Sequence, residues 1–310
     1  MLSIIIPVYN SSNVILKLTE EIIKIFEKYK IEIILVNDCS LDNSHDECMN
    51  IVERYPDYIS YIKFSKNFGE HNAVMAGLKY SRGEWIIIMD DDFQNPPQEA
   101  LKLYEFSIIN NFDVVYCDYE AKYHSILRNF FSKINDLSSR IILEKPKNIY
   151  LSSFKSINRK TVNKIIVYDG PFPYIDGLIF DTTSNFGSIK IKHKPRELGR
   201  SGYNLRKLLK LYSNLIINFS TKPIHFCSLL GIFIVTVSGF LGIKIIIEKL
   251  LDPLMPLGYT SIFVAIIFFS GVQLIFLGLL GEYIGKILKN VNKSNQYSID
   301  YLKLVKKKNI

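Results

Sequence analysis

The chain has 310 residues, 48% of them hydrophobic and 22% charged, with a formal net charge of +8 and a pI near 9.0. That length suits one large domain plus something extra, and the basic excess admits nucleic acid, anionic lipid or phosphorylated compounds as partners. No nucleic-acid-binding signature accompanies the lysines and aromatics, which sets nucleic acid aside, and Cys39, Cys48, Cys117 and Cys227 show no CxxC or His-paired spacing, which excludes a zinc site and a disulfide framework.

The chain opens directly on the strand-like run Leu2-Ser3-Ile4-Ile5-Ile6-Pro7, without a basic leader, so the first domain is expected to stay on the side where it is made. Asn10-Ser11-Ser12-Asn13 supplies a turn and helix cap, and Ile15, Leu18, Ile22, Ile25 and Phe26 then recur at helical spacing. Ile31–Val36 is a second apolar run and ends in the cap-rich loop Asn37–Ser44. The pattern continues with a helix near 43–55, a strand near 58–64, a helix near 70–81 and the strand Glu84–Ile88. A helix near 97–110 and the strand Asp113–Cys117 follow. Strands alternating with amphipathic helices predict an α/β domain with a mostly parallel, Rossmann-like sheet. Such sheets bind ligands beyond the carboxyl ends of their strands. Asn10, Asp38, Lys66-Asn67 and Asp90–Asp92 all fall just past strand ends, so they are expected to converge on one edge.

The densest chemistry lies in Met89-Asp90-Asp91-Asp92-Phe93-Gln94-Asn95-Pro96-Pro97. Three carboxylates at the end of a buried strand repel one another unless a cation joins them. Oxygen-only ligands suit Mg²⁺ or Mn²⁺, which complete their shells with water and substrate phosphates. Alternation along an extended segment puts Asp90 and Asp92 on one side and Asp91 on the other. The residues alone leave two readings open, a DxD pair for a metal–diphosphate or a solvated acidic turn.

From about 120 to 205 the periodicity weakens. Arg128, Lys133 and Arg140 sit among Leu127, Phe130, Phe131, Ile134, Leu137 and Ile141, which fits either a surface helix with a solvated face or a helix at a membrane interface. Positive charge gathers again in His193–Tyr203 and in a basic amphipathic stretch over 206–222. Composition then changes: neither Ile224–Ile243 nor Pro253–Gly281 contains any Asp, Glu, Lys or Arg. Each run meets the roughly 20-residue requirement for a bilayer span. Two transmembrane helices are therefore expected at about 224–247 and 256–281, within a hairpin over 223–288. Basic residues flank the pair on both outer sides, placing both ends in the cytoplasm and the 248–258 link outside, with 289–310 as a basic cytoplasmic tail. Glycines such as Gly231, Gly239, Gly278 and Gly281 permit close helix approach and self-association into a homo-oligomer.

Taken in order and spacing, Ser3–Asn10, Val36–Asp42, Ser65-Lys66-Asn67-Phe68-Gly69, Ala76-Gly77, Gly83, Met89–Pro97, Arg196–Tyr203 and Gly281–Gly285 resemble the family 2 glycosyltransferases. The likeness is specifically to the polyprenyl-phosphate glycosyltransferases of the dolichol-phosphate-mannose-synthase type. The resemblance implies a GT-A fold and an inverting, metal-dependent transfer of one sugar from a nucleotide-sugar, with UDP the favoured carrier, to undecaprenyl phosphate. It further implies a multi-pass protein of the bacterial inner membrane with its catalytic domain in the cytoplasm, serving cell-envelope polysaccharide or lipopolysaccharide modification.

Carried over position by position, the resemblance puts Pro7, Tyr9 and Asp38 around the nucleotide base, Asn10 among the residues that bind the nucleotide-sugar, and Lys66 and Asn67 on the nucleotide side. Asp90 and Asp92 hold Mg²⁺ or Mn²⁺ and the diphosphate, with Asp91 and Gln94 beside them. Arg128 and Ser132 match a pair that holds the lipid phosphate, and Arg196 and Ser201 match a loop that closes over the phosphates. Asp176 is the candidate carboxylate near the acceptor or sugar. Two departures stand out: Asn37-Asp38 carries one acid where the family has two, and Ser152-Ser153 precedes Phe154-Lys155 where the family has an Asp ahead of Phe-Arg. Competing readings are a processive polysaccharide synthase, which needs a QxxRW-type motif although the only Trp is Trp85, and a catalytically inactive membrane scaffold.

Overall fold

The structure is a computed structural model that describes residues 1–119, 149–192, 258–291 and 295–305, with seven single positions between 229 and 251. Arg128, Ser132, Arg196 and Ser201 lie outside the described residues, as does most of the first apolar run. Residues 1–203 and 293–310 make one compact unit and 204–292 another.

In the first unit the expected alternation is present. In chain order it runs β1 (Leu2–Val8), α1 (Ile15–Ile25), β2 (Ile31–Asn37), α2 (Ser44–Arg54), β3 (Ile59–Phe64), α3 (Glu70–Tyr80), β4 (Trp85–Ile88), α4 (Pro97–Asn110) and β5 (Val114–Tyr119). Then come β6 (Lys155–Asn158), α5 (Arg159–Ile165), α6 (Ile175–Phe180) and β7 (Phe186–Ile191). The sheet order is β7-β5-β6-β4-β1-β2-β3-β8, where β8 is Ile299–Lys303. The central strands β4, β1, β2 and β3 are parallel neighbours. The sheet departs from the simple parallel expectation in two places. β6 inserts antiparallel between β4 and β5. β8, which the sequence grouped with the basic tail, pairs antiparallel with β3 and closes that edge. Asp300 and Lys303 keep this edge strand charged, the usual protection against further pairing.

Every residue of β2 is buried, as a strand covered on both faces requires. Side-chain alternation divides the apolar residues into two layers. Ile4, Ile6 and Leu35 pack toward α1, α2 and α4, while Ile5, Ile34 and Val36 pack toward α3, α5 and α6. Helix α3 lies close on β1: a Cβ added at Gly77 would come within 2.4 Å of the Ile5 side chain. Beneath the sheet's other end, Glu32 is buried and accepts from Ser3 Oγ at 2.6 Å, the Arg82 backbone N–H at 2.6 Å and Arg82 Nε at 3.1 Å.

In the second unit, α7 (Tyr259–Val291) has 33 residues. At about 1.5 Å per residue it is roughly 50 Å long. Its first two-thirds carry none of the four charged residue types, and Ile262, Ile266, Phe269, Leu277, Leu280 and Ile284 are exposed along it. Counting the described residues alone, no helix is long and apolar enough to cross a membrane.

Gly77→Ala should destabilise the domain by about 1–3 kcal/mol through overpacking against Ile5. A denaturant titration should show a lower midpoint with an unchanged slope.

Candidate active site

The four parallel strands end on one edge, where three of their loops are bound together. Val8 leads into Tyr9–Ser12, and Asn37 into Asp38–Asn43. The Asn10 N–H donates to Ser40 Oγ at 3.0 Å, and Asn10 Oδ1 accepts from the Leu41 N–H at 2.8 Å. Ser11 N–H donates to Ser44 Oγ at 2.9 Å and Ser12 N–H to Asp42 Oδ2 at 3.1 Å. Asn10, Cys39 and Phe93 have left-handed backbones with φ of 57°, 56° and 60°. A conformation of this kind costs about 1–3 kcal/mol for a bulky residue and persists where surrounding contacts impose it. Asn10, an exposed residue, therefore links two loops through its backbone N–H and its side-chain oxygen.

Asp38 is buried and holds a third loop. Its carboxylate accepts from the Phe68 N–H at 2.6 Å and the Gly69 N–H at 2.8 Å, while Asn67 Nδ2 donates to its carbonyl at 3.3 Å. Burial raises its pKa, opposed by the two backbone bonds. The Lys66-Asn67 pair stands exposed on this loop, and Tyr9 is 47% exposed on the same rim. Pro7, partly buried at the end of β1, lies beside them in sequence. Asn37, the position where an acid is missing, turns inward instead. Its Nδ2 donates to Tyr61 Oη at 3.1 Å and its Oδ1 accepts from the Ser40 N–H at 2.8 Å.

The three aspartates after β4 separate as strand alternation requires. Asp91 faces the first loop and accepts from the Tyr9 N–H at 3.1 Å and from Ser11 Oγ. Through these two bonds it holds the loop after β1. Asp90 Oδ2 accepts from Ser153 Oγ at 2.7 Å and from Asn95 Nδ2 at 3.4 Å. Asp92 Oδ1 accepts from the Gln94 N–H at 3.1 Å across left-handed Phe93. Burial pushes Asp90 up to about 7, reinforced by the charges of Glu70, Asp92 and Asp91 against the opposing Ser153 bond. Burial likewise raises Asp91 to about 6, offset in part by its Ser11 and Tyr9 bonds.

Among the described residues no group of three or more His, Cys, Asp or Glu side chains is arranged to hold a metal. Asp90 and Asp92 nevertheless fit one as a pair. Both present carboxylate oxygens, Asp90 is held under a charge load that a cation would relieve, and neighbouring Asn95 has a buried Oδ1 with no hydrogen-bond partner. An all-oxygen donor set suits Mg²⁺ or Mn²⁺.

Asp176 lies in the first turn of α6 and is buried. Its carboxylate pairs with buried Lys155 and accepts from Tyr116 Oη at 2.9 Å. That engagement ties α6 to β5 and β6. Lys155 Nζ also sits 5.0 Å from the Tyr116 ring. Sequence reasoning missed Ser11, Asn95 and Ser153 as partners of the acidic cluster. The Ser152-Ser153 departure was the one visible signal for the last of them.

Comparison with known proteins fits this geometry. A model described as glycosyl transferase family 2 matches residues 3–167. The undecaprenyl-phosphate 4-deoxy-4-formamido-L-arabinose transferase of Proteus mirabilis is 30% identical over 315 residues, covering 99% of this chain and 95% of that protein. Its namesake from Yersinia enterocolitica is 30% identical over 303 residues, covering 96% and 92%. Among solved structures, glucosyl-3-phosphoglycerate synthase from Mycobacterium tuberculosis in complex with Mn²⁺, UDP and phosphoglyceric acid aligns with a TM-score of 0.53. It is 13% identical and covers 70% of this chain and 76% of that one, a likeness of fold alone.

Because the folded-state pKa values of Asp90 and Asp91 are raised, the stability they contribute is full below the unfolded value near 3.8 and is lost as pH rises through 6 to 7. Metal-free protein should therefore melt lower at pH 8 than at pH 5.5 by a margin that Asp90→Asn reduces. Mn²⁺ should raise the melting temperature more at pH 8, where the ligands are ionised. Thermal unfolding at the two pH values, with and without Mn²⁺, checks both.

Proposed function

The chain is a glycosyltransferase of family 2 with a GT-A fold, and on that premise we propose that it moves one sugar, with inversion, from a UDP-sugar to undecaprenyl phosphate at the cytoplasmic face of a bacterial inner membrane. The observation that carries this reading is the length of the likeness. Relatives named for undecaprenyl-phosphate transfer align over 96–99% of the chain, through both apolar runs and well beyond the residues that the family model matches.

The rim residues divide the work. Tyr9 and Pro7 offer an apolar and aromatic seat for the base. Asp38 carries lone pairs beyond those used by Phe68 and Gly69 and can accept from a ring N–H. Lys66 and Asn67 stand exposed toward the nucleotide. Asp90 and Asp92 would hold Mg²⁺ or Mn²⁺, and Gln94 lies next to them on the sugar side. A cation bound there supplies charge stabilisation for the diphosphate leaving group.

The acceptor needs little activation. A phosphomonoester has a second pKa around 6 and is largely dianionic near neutral pH. Its oxygen attacks the anomeric carbon from the face opposite the diphosphate; a new C–O bond forms as the old one breaks, and no proton has to be removed first. Arg128 with Ser132 is the pair we assign to the lipid phosphate, and Arg196 with Ser201 to the donor phosphates; an arginine fork donates bidentately and stays charged. Asp176, paired with Lys155 and bonded by Tyr116, is the carboxylate we assign to the neighbourhood of the acceptor or sugar.

The same reading takes 224–247 and 256–281 as membrane spans. The single charged residue in the two of them, Lys244 near the end of the first, supports it, as do the exposed apolar positions Leu229, Phe233, Phe240, Ile243 and Ile247 in the first run and the exposed row on α7. A polymer-forming synthase is disfavoured because the only Trp, Trp85, sits inside β4.

Membranes containing the protein, incubated with labelled UDP-, GDP- and dTDP-sugars and Mn²⁺, should place label in chloroform-extractable lipid. Label in insoluble polymer, or no turnover with any donor, would overturn the reading. Asp92→Ala should abolish transfer while leaving membrane insertion intact, as assayed by fractionation.

A further inference from the structure

The antiparallel register that pairs Ile88 with Lys155 brings Ser153 opposite Asp90 when it is extended by two residues in each direction. The contact is realised as a 2.7 Å hydrogen bond from Ser153 Oγ to Asp90 Oδ2. Asn95, in the turn after the acidic cluster, donates to the same oxygen at 3.4 Å. Both donors therefore fall on Oδ2, and among the described residues Asp90 Oδ1 accepts no hydrogen bond. The serine is itself held in place. Its neighbour Ser152 bonds Tyr119 Oη at 2.9 Å and accepts from the Phe154 N–H at 3.2 Å, and Phe154 is fully buried.

We propose that Ser153 is a positioning residue for the divalent cation: by fixing Asp90 through Oδ2 it turns Oδ1 toward the metal and does so without adding a further negative charge to the rim. The proposal rests on the assignment of Asp90 and Asp92 as the metal pair. Neutral donors that orient a ligating carboxylate typically change metal affinity about 10–100-fold when removed. A hydroxyl suits this place because Asp90 is followed directly by Asp91 and Asp92, and Ser153 bonds it without a charge of its own. A carboxylate at position 153 would add to that repulsion.

The test uses the full chain in detergent and reads Mn²⁺ binding directly, from the paramagnetic resonance signal of the free ion, with no substrate present. Ser153→Ala should weaken Mn²⁺ binding about tenfold, whereas Ser153→Thr, which keeps the hydroxyl, should stay within about twofold of the wild type. Far-UV circular dichroism of each variant establishes that it is folded. Equal affinity in wild type and Ser153→Ala, or equal weakening in Ser153→Ala and Ser153→Thr, would overturn the proposal while leaving the metal pair standing. If the wild type shows no Mn²⁺ binding that Asp92→Ala removes, the metal assignment fails and Ser153 loses its role with it.

Discussion

Gathering several carboxylates at one end of a parallel sheet is the constraint around which this domain is arranged. Each buried or half-buried acid must find donors, a counter-charge or a proton. The chain meets that demand differently each time. Asp38 uses two backbone N–H groups of the loop after β3, and Asp91 uses a backbone N–H and a hydroxyl of the loop after β1. Asp176 takes an ammonium and a phenol, and Asp90 takes a hydroxyl from β6's leading residues. These acids thus become the fasteners that set the loops around them. Asp90 is the member left with the poorest compensation, and it stands where a cation is wanted.

Much of this was legible in the chain. Alternating apolar runs and amphipathic helices carried the sheet-and-helix order through β5, and polar residues just past strand ends marked the rim. Strict alternation sorted Asp91 from its two neighbours before any contact was visible. What escaped has a common physical origin. β6 is a four-residue strand reading Lys155-Ser156-Ile157-Asn158, too short and polar to announce itself, and its place between β4 and β5 is decided by pairing across long separations. The partners of Asp176 lie 21 and 60 residues away. The left-handed turn at Phe93 runs against the preference of a bulky side chain, so only the surrounding contacts reveal it.

Substitution of acids by neutral residues at two rim positions gains meaning from these contacts. Asn37 spends its amide on Tyr61 and Ser40, tying β2 to β3 and to the adjoining loop. Ser153 addresses Asp90 directly. Both positions carry an uncharged side chain where an acid would add negative charge to the rim. An aspartate count alone would have read them as losses of function; the contacts give each side chain a defined partner instead.

The last strand of the sheet has a consequence for how the protein is made. β3 gains its outer neighbour only from Ile299–Lys303, with Tyr297 stacked on Phe64 at 5.0 Å and Asp300 paired with Lys63 at 2.8 Å. About 235 residues separate the two partners along the chain. At roughly 5–20 residues per second on the ribosome, the open flank of β3 waits on the order of 10–50 s for its cover. During that interval the nascent chain exposes a ready template for unwanted strand pairing, so the domain is most vulnerable to aggregation until Ile299–Lys303 has been made.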